Sequence, residues 1–284
     1  MKIIRSISTL KNELGRGKKK GRSVGLVPTM GYLHEGHLSL IRRARKENDL
    51  VAVSIFVNPA QFGPNEDYKE YPRDLRNDAA LCKRAGVDFI FYPAVKAMYP
   101  NGYSTYVKVE GLTGNLCGKF RPSHFCGVTT VVAKLFNIAK PDAAYFGQKD
   151  AQQAIVIKRM AEDLDMGITI NIMPTVREKD GLAMSSRNAY LSPDERRAAP
   201  TVYRALQLAR DLIKSGNRDT AKIKSEMKKM LSVVAAKIDY ISIVNPEDLK
   251  EVKKIKGGAK GKLLVAVAVW IGETRLIDNI EVKA

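Results

Sequence analysis

His34 and His37 stand three residues apart in the run Thr29-Met30-Gly31-Tyr32-Leu33-His34-Glu35-Gly36-His37, directly after the apolar stretch Val24-Gly25-Leu26-Val27. Leu38, Leu40, Ile41 and Ala44 follow with helical spacing, which places both imidazoles in a first helical turn, facing one way. Backbone N–H groups and the positive end of the macrodipole make a helix start favourable for phosphate, and two imidazole donors add to it. Strand, glycine turn and helix start therefore point to a nucleotide site. Two blander readings stand beside this one: a pair of metal ligands, or ordinary polar residues at a helix start. The metal reading is poorly supplied, because the only other histidine is His124 and the three cysteines form no Cys-x-x-Cys.

Three more segments carry similar chemistry. Arg177-Glu178-Lys179-Asp180-Gly181-Leu182-Ala183-Met184-Ser185-Ser186-Arg187-Asn188 follows a strand expected near 168–173 and reads as a flexible loop of hydroxyls and cations. Serine hydroxyls and an arginine fork suit the non-bridging oxygens of a triphosphate. Phe146-Gly147-Gln148-Lys149-Asp150-Ala151-Gln152-Gln153 lies between the strand-like Ala143–Phe146 and an apolar-periodic helix. In open parallel sheets, ligands bind at that carboxyl end of the strands; a plain helix cap by Asp150 is the alternative. Ser54-Ile55-Phe56-Val57-Asn58-Pro59-Ala60-Gln61-Phe62-Gly63 closes a buried-looking strand, and Asn58 and Gln61 offer uncharged donors and acceptors to a small polar substrate. Alone, its Asn-Pro pair is a turn signal.

Together these segments resemble the pantothenate synthetases, a family of the nucleotidyltransferase superfamily that shares HIGH- and KMSKS-type motifs with class I aminoacyl-tRNA synthetases. The resemblance rests on Pro28-Thr29-Met30-Gly31 with His34-Glu35-Gly36-His37, on Phe56-Val57-Asn58-Pro59-Ala60-Gln61-Phe62, on Tyr71-Pro72-Arg73 and on Arg121-Pro122-Ser123-His124-Phe125. Gly147, Lys149-Asp150, Gln152-Gln153 and Met184-Ser185-Ser186-Arg187-Asn188 complete it. It spans residues 24–192, and the remainder is similar only in outline.

The resemblance implies a ligase that makes pantothenate from pantoate, β-alanine and ATP through a pantoyl adenylate, releasing AMP and pyrophosphate. Charge then builds on the α-phosphate and the departing pyrophosphate, so catalysis calls for fixed donors and cations. The implied catalytic set is His34, His37, Lys149, Ser185, Ser186 and Arg187. The implied ATP contacts are Met30, His37, Gly147, Lys149, Asp150, Val176, Met184, Ser185, Ser186 and Arg187, and the implied pantoate contacts are Met30, Asn58, Gln61 and Gln153. Asp78 is the implied Mg2+ carboxylate, with a solvated helix residue as its alternative. Gln148 stands where the family commonly has Glu and receives no role; Arg121 and His124 are read as facing β-alanine or as structural.

Bulk composition agrees. A chain of 284 residues with 45% hydrophobic content can bury a substantial core and divide in two. Unpaired cysteine spacing suits a reducing compartment, and no run has the length of a signal peptide or membrane span, so a cytoplasmic enzyme is expected. The net charge of +18 sustains a rival class, a basic RNA-binding relative of the tRNA synthetases using Lys18-Lys19-Lys20 and the lysines of 250–262. No aromatic-interleaved RNA motif is visible, and acidic substrates themselves profit from a positive field, so no nucleic-acid partner and no membrane are expected. Another nucleotidyltransferase of the superfamily is the second rival, opposed by the Asn-Pro-Ala-Gln-Phe and Met-Ser-Ser-Arg-Asn blocks. A homodimer is implied by the family alone.

The elements that must hold these residues alternate. Strands are expected near 24–28, 50–57, 88–92, 142–146 and 168–173, with helices near 37–48, 73–86, 126–139 and 150–164. That order predicts an α/β fold, a Rossmann-like doubly wound parallel sheet. Two helices near 193–215 and 219–237, then strands near 238–244, 263–271 and 274–282, predict a second, smaller α+β C-terminal domain. The expected division is a nucleotide- and pantoate-binding domain over 1–175 and a lid domain over 176–284, with Met184 to Asn188 closing over the site and excluding water.

Overall fold

The computed structural model describes residues 1–64, 66–255 and 261–283. In chain order its elements are β1 (Lys2–Ile4), α1 (Ile7–Lys18), β2 (Val24–Thr29), α2 (Glu35–Glu47), β3 (Leu50–Ile55), α3 (Leu75–Arg84), β4 (Phe89–Phe91), α4 (Val95–Met98), α5 (Leu116–Phe120), α6 (His124–Ala139), β5 (Ala143–Gly147), α7 (Ala151–Asp163) and β6 (Thr169–Met173). Then follow α8 (Pro193–Ala198), α9 (Thr201–Lys214), α10 (Thr220–Leu231), β7 (Lys237–Val244), β8 (Lys262–Ile271) and β9 (Thr274–Lys283). The chain packs as two compact units. The first comprises Met1–Glu110, Arg121–Gln148 and Val156–Pro174; the second comprises Gly111–Phe120, Lys149–Ile155 and Thr175–Ala284.

The first unit is a six-stranded sheet in the order β1-β4-β3-β2-β5-β6, with every pair parallel. A parallel sheet is covered on both faces, which is why Leu50–Ile55 is buried at every position and reads as an unbroken apolar run. One core gathers Val27, Val51, Val53, Ile90 and Tyr145 with Leu40, Ile41 and Ala44 of α2 and Cys82 of α3. α6 packs on β2 and on α1. From β2 the order runs outward through β3 and β4 on one side and through β5 and β6 on the other. The carboxyl ends of β2 and β5 therefore flank the topological switch point, the place where an open α/β sheet binds ligand. The two strands end at Thr29 and Gly147, where the motifs begin.

The second unit is an antiparallel sheet, β7-β8-β9, backed by α9 and α10 through Val202, Leu206, Ile213, Ile223, Met227 and Leu231. Several elements differ from the sequence reading, among them the helices α1, α4 and α5, which it did not expect. The sheet has an additional edge strand, β1, whose three residues are too few to show a period. The helix expected over 193–215 is two, α8 and α9, because Pro200 lacks the N–H that would continue the ladder; Val202 N instead bonds the Ala199 carbonyl at 3.1 Å. α10 also ends at Leu231, short of the expected 237. Part of the lysine-rich stretch, 256–260, lies outside the described residues. No described helix is long and apolar enough to cross a membrane.

Candidate active site

In the first unit the histidine pair builds its own helix start. His34 is the N-cap of α2, its Nδ1 accepting from Gly36 N at 3.2 Å, and His37 Nδ1 accepts in return from His34 N at 3.3 Å. The two rings lie 4.1 Å apart. This is a reciprocal capping box made of imidazoles. It carries a chemical consequence: an Nδ1 that accepts puts the ring proton on Nε2, which leaves Nε2–H as the donor of each ring. It also corrects one expectation, since the Gly36 amide serves the cap and is not one of the N–H groups offered to phosphate.

The loop ahead of the histidines is tied from both sides. Thr29 Oγ1 donates to the Ser54 carbonyl at 2.7 Å and accepts from Gly31 N at 3.1 Å. Gly31 adopts φ +86°, and a Cβ there would lie 2.9 Å from Ile55 Cγ2, so only glycine fits. Asp78 takes the next two amides: Tyr32 N donates to Oδ2 at 2.9 Å and Leu33 N to Oδ1 at 2.7 Å. Asp78 is 1% exposed, and burial pushes its carboxyl up while these amides pull it down. Each oxygen serves an amide and the side chain is buried, so in this structure Asp78 anchors the histidine loop and is not presented as the expected Mg2+ ligand. Among the described residues no three His, Cys, Asp or Glu side chains gather in a way that could hold a metal ion.

After β3, a 3-10 turn at Pro59–Gln61 presents the amide pair. Asn58 Nδ2 donates to Gln61 Oε1 at 3.1 Å and to the Gly127 carbonyl at 3.0 Å, and its Oδ1 accepts from Tyr99 OH at 2.7 Å and Ala60 N at 3.3 Å. Those bonds occupy the whole amide. Asn58 therefore positions Gln61 in this structure and is not itself presented to a ligand, contrary to its expected place among the pantoate contacts. Gln61 Nε2 reaches Met30 Sδ at 3.2 Å, which brings two expected pantoate residues together. The Gln61 carbonyl is held by His124 Nδ1 at 2.9 Å and Arg121 Nη2 at 3.3 Å, and Arg121 in turn pairs with Glu66. Arg121 and His124 thus brace this turn in the structure. Gly127 lets α6 approach this turn: a Cβ there would stand 2.2 Å from the Ala60 carbonyl oxygen.

The other half of the predicted set belongs to the second unit. Beyond β5 and Gly147, a 3-10 turn at Gln148–Asp150 carries Lys149, whose Nζ lies 3.7 Å from Asp150 Oδ1. The adjacent glutamines divide labour. Gln152 is buried and accepts from Cys117 N at 2.9 Å while donating to the carbonyls of Leu112 and Asn115 at 2.9 and 2.8 Å. Gln153 makes no such bond among the described residues. Residues 177–188, expected as a flexible loop, form a hairpin bridged at Arg177 and Ala183, with Glu178 N on the Leu182 carbonyl at 2.8 Å and Met184 N on the Val176 carbonyl at 3.0 Å. It runs into a 3-10 turn at Ser186–Tyr190 capped by Ser185, whose Oγ accepts from Arg187 N at 3.3 Å. Asn188 fastens this turn to Glu178 at 2.9 Å and to the Ala183 carbonyl at 3.2 Å. Ser186 is buried; Met184 and Arg187 are half-buried.

A parallel α/β sheet with an imidazole-capped helix at its switch point, together with a structured Met-Ser-Ser-Arg turn, defines a nucleotidyltransferase of the HIGH type. The sequence profile of the pantoate-beta-alanine ligases matches residues 2–281. The pantothenate synthetase of Moorella thermoacetica is 57% identical over 281 residues, 99% of this chain and 98% of that protein; that of Caldicellulosiruptor saccharolyticus is 54% identical over the full length of both. The crystal structure of pantothenate synthetase from Thermus thermophilus superposes with a TM-score of 0.93 at 48% identity, covering 100% of both chains. The pantoate-beta-alanine ligase of Francisella tularensis, solved in complex with beta-gamma ATP and beta-alanine, superposes at 0.81 with 36% identity over 99% of this chain and 97% of that one. The chain belongs to the pantoate-beta-alanine ligase family.

Proposed function

We infer that this protein condenses pantoate with β-alanine, with cleavage of ATP to AMP and pyrophosphate. The observation that supports the reading is the imidazole capping box at the switch point, which leaves Nε2–H as the donor of two rings at the sheet edge where open α/β folds bind ligand. A carboxylate is a poor acyl donor. Its oxygen attacks the α-phosphorus, the bond to pyrophosphate breaks, and the resulting acyl phosphate is then attacked at carbon by the amine, with AMP as leaving group. His34 and His37 are proposed to meet the ATP phosphates, Lys149 the α-phosphate, and Ser185, Ser186 and Arg187 the triphosphate as a closing lid. Gly147 and Asp150 are proposed to hold the ribose, with Val176 and Met184 beside the nucleotide. Met30, Gln61 and Gln153 are proposed to hold pantoate. Magnesium is proposed to arrive as the counter-ion of the triphosphate and to keep its waters. A division of labour between residues 1–175 and 176–284, with 111–120 and 149–155 packed in the second unit, a cytoplasmic setting, and a homodimer implied by the family complete the proposal.

AMP release with each substrate omitted in turn tests the assignment: it is expected to require ATP, pantoate and β-alanine together, and steady release without pantoate contradicts it. In the same assay Gln61→Ala is expected to raise the pantoate requirement by about one to two powers of ten, the equivalent of one buried hydrogen-bonding group losing its partner, with ATP affinity unchanged. A variant that weakens ATP and leaves pantoate untouched would place Gln61 at the nucleotide.

A further inference from the structure

β9 alternates. Leu276, Ile280 and Val282 face the core of the second unit, and Asp278 stands in the same series. A carboxylate on an apolar face demands a partner. Asp278, 3% exposed, receives the Arg177 guanidinium as a fork, Nη1 to Oδ2 at 2.6 Å and Nη2 to Oδ1 at 3.0 Å. Arg177 also donates to the Gly181 carbonyl at 3.1 Å and lies 3.7 Å from the centre of the Tyr203 ring. The pair thereby fixes the base of the hairpin that leads into Ser185–Arg187. The next residue, Asn279, turns to the opposite face of the strand and is also buried, and its Nδ2 donates to the carbonyl oxygen of Lys149 at 2.9 Å. Its own amide N–H donates to Asp278 Oδ1 at 2.7 Å, which links the two contacts.

We propose that Asn279 is a positioning residue for adenylation: seated by the Asp278–Arg177 pair, it holds the main chain of Lys149 so that the ammonium is fixed where phosphate charge develops. The proposal rests on the reading of Lys149 given above. A bond to a main-chain carbonyl sets where the Lys149 side chain starts without touching substrate, and small displacements of a catalytic group are costly in rate: misplacement by about 1 Å can cost 10²-fold.

Single-turnover formation of the acyl adenylate is the test, with wild type, Asn279→Ala, Lys149→Ala and the double variant. Asn279→Ala is expected to slow adenylation by about tenfold to hundredfold with the ATP and pantoate requirements changed by less than a few-fold. The double variant is expected to be no slower than Lys149→Ala alone, since groups that act as a unit are not additive. Asn279→Asp keeps the size but removes the donor and is expected to match the alanine variant; it serves if alanine does not fold. If Lys149→Ala is slow but the Asn279 variants react at the wild-type rate, or the two losses multiply independently, the positioning role is overturned while the assignment of Lys149 stands. If Lys149→Ala itself reacts normally, the assignment of Lys149 falls and the proposal with it.

Discussion

Lys149→Ala is expected to slow acyl-adenylate formation by roughly 10²- to 10³-fold, the loss that follows removal of one well-placed group from developing charge. Lys149→Met retains the aliphatic stem and is expected to be as slow, which separates charge from packing. His37 needs a different replacement. Its Nδ1 caps the helix through His34 N, so His37→Ala removes a cap acceptor together with the Nε2–H donor, and caps are worth about 0.5–2 kcal/mol. His37→Asn places an acceptor near the Nδ1 position and lacks the outer donor. It is expected to hold the fold and lose rate on the same scale. Rapid quenching of a single turnover with ATP and pantoate measures this, and a wild-type rate in Lys149→Met or His37→Asn would remove that residue from the chemistry.

Asp78→Ala is expected to lower stability by about 2–6 kcal/mol, because the amides of Tyr32 and Leu33 are left without acceptors and each orphan costs about 1–3 kcal/mol. Asp78→Asn keeps one acceptor but turns an NH2 group toward an N–H donor, so it is expected to be destabilised as well, by less. Denaturant midpoints taken without nucleotide or metal show the effect. Unchanged midpoints in both variants, accompanied by a raised magnesium requirement, would return Asp78 to the metal.

The motifs that carry chemistry are legible in the sequence because each is local. Val24–Thr29 and Leu50–Ile55 are buried runs of strand length, and the histidine pair sits at the turn between a strand and an amphipathic helix, so strand, turn and helix signals agree. What is not legible is what reaches across the fold. Asp78 fills the i+3 slot of the inward series Leu75, Ala79, Cys82, a charge on an apolar stripe; it could be suspected there, but its partners lie 45 and 46 residues earlier. Asp278 interrupts the alternation of β9 in the same manner, and no spacing rule names Arg177 as its partner. Asn58 shows the opposite error. Its type suits a ligand, yet four protein contacts claim its amide. The break at Pro200 was visible in the residue itself, whereas α1, with Gly15 and Gly17 and only Leu10 and Leu14 well buried on its apolar side, carries too thin a stripe to stand out.

The central claim is that the carboxylate of pantoate is activated as an adenylate before the amine arrives. Exchange of labelled pyrophosphate into ATP tests it most directly, because exchange requires reversible cleavage at the α-phosphorus with the acyl acceptor withheld. With pantoate present and β-alanine absent, label is expected to enter ATP, and to do so far more slowly in Lys149→Ala. Exchange that proceeds without pantoate, or that requires an amino acid in its place, would contradict the account.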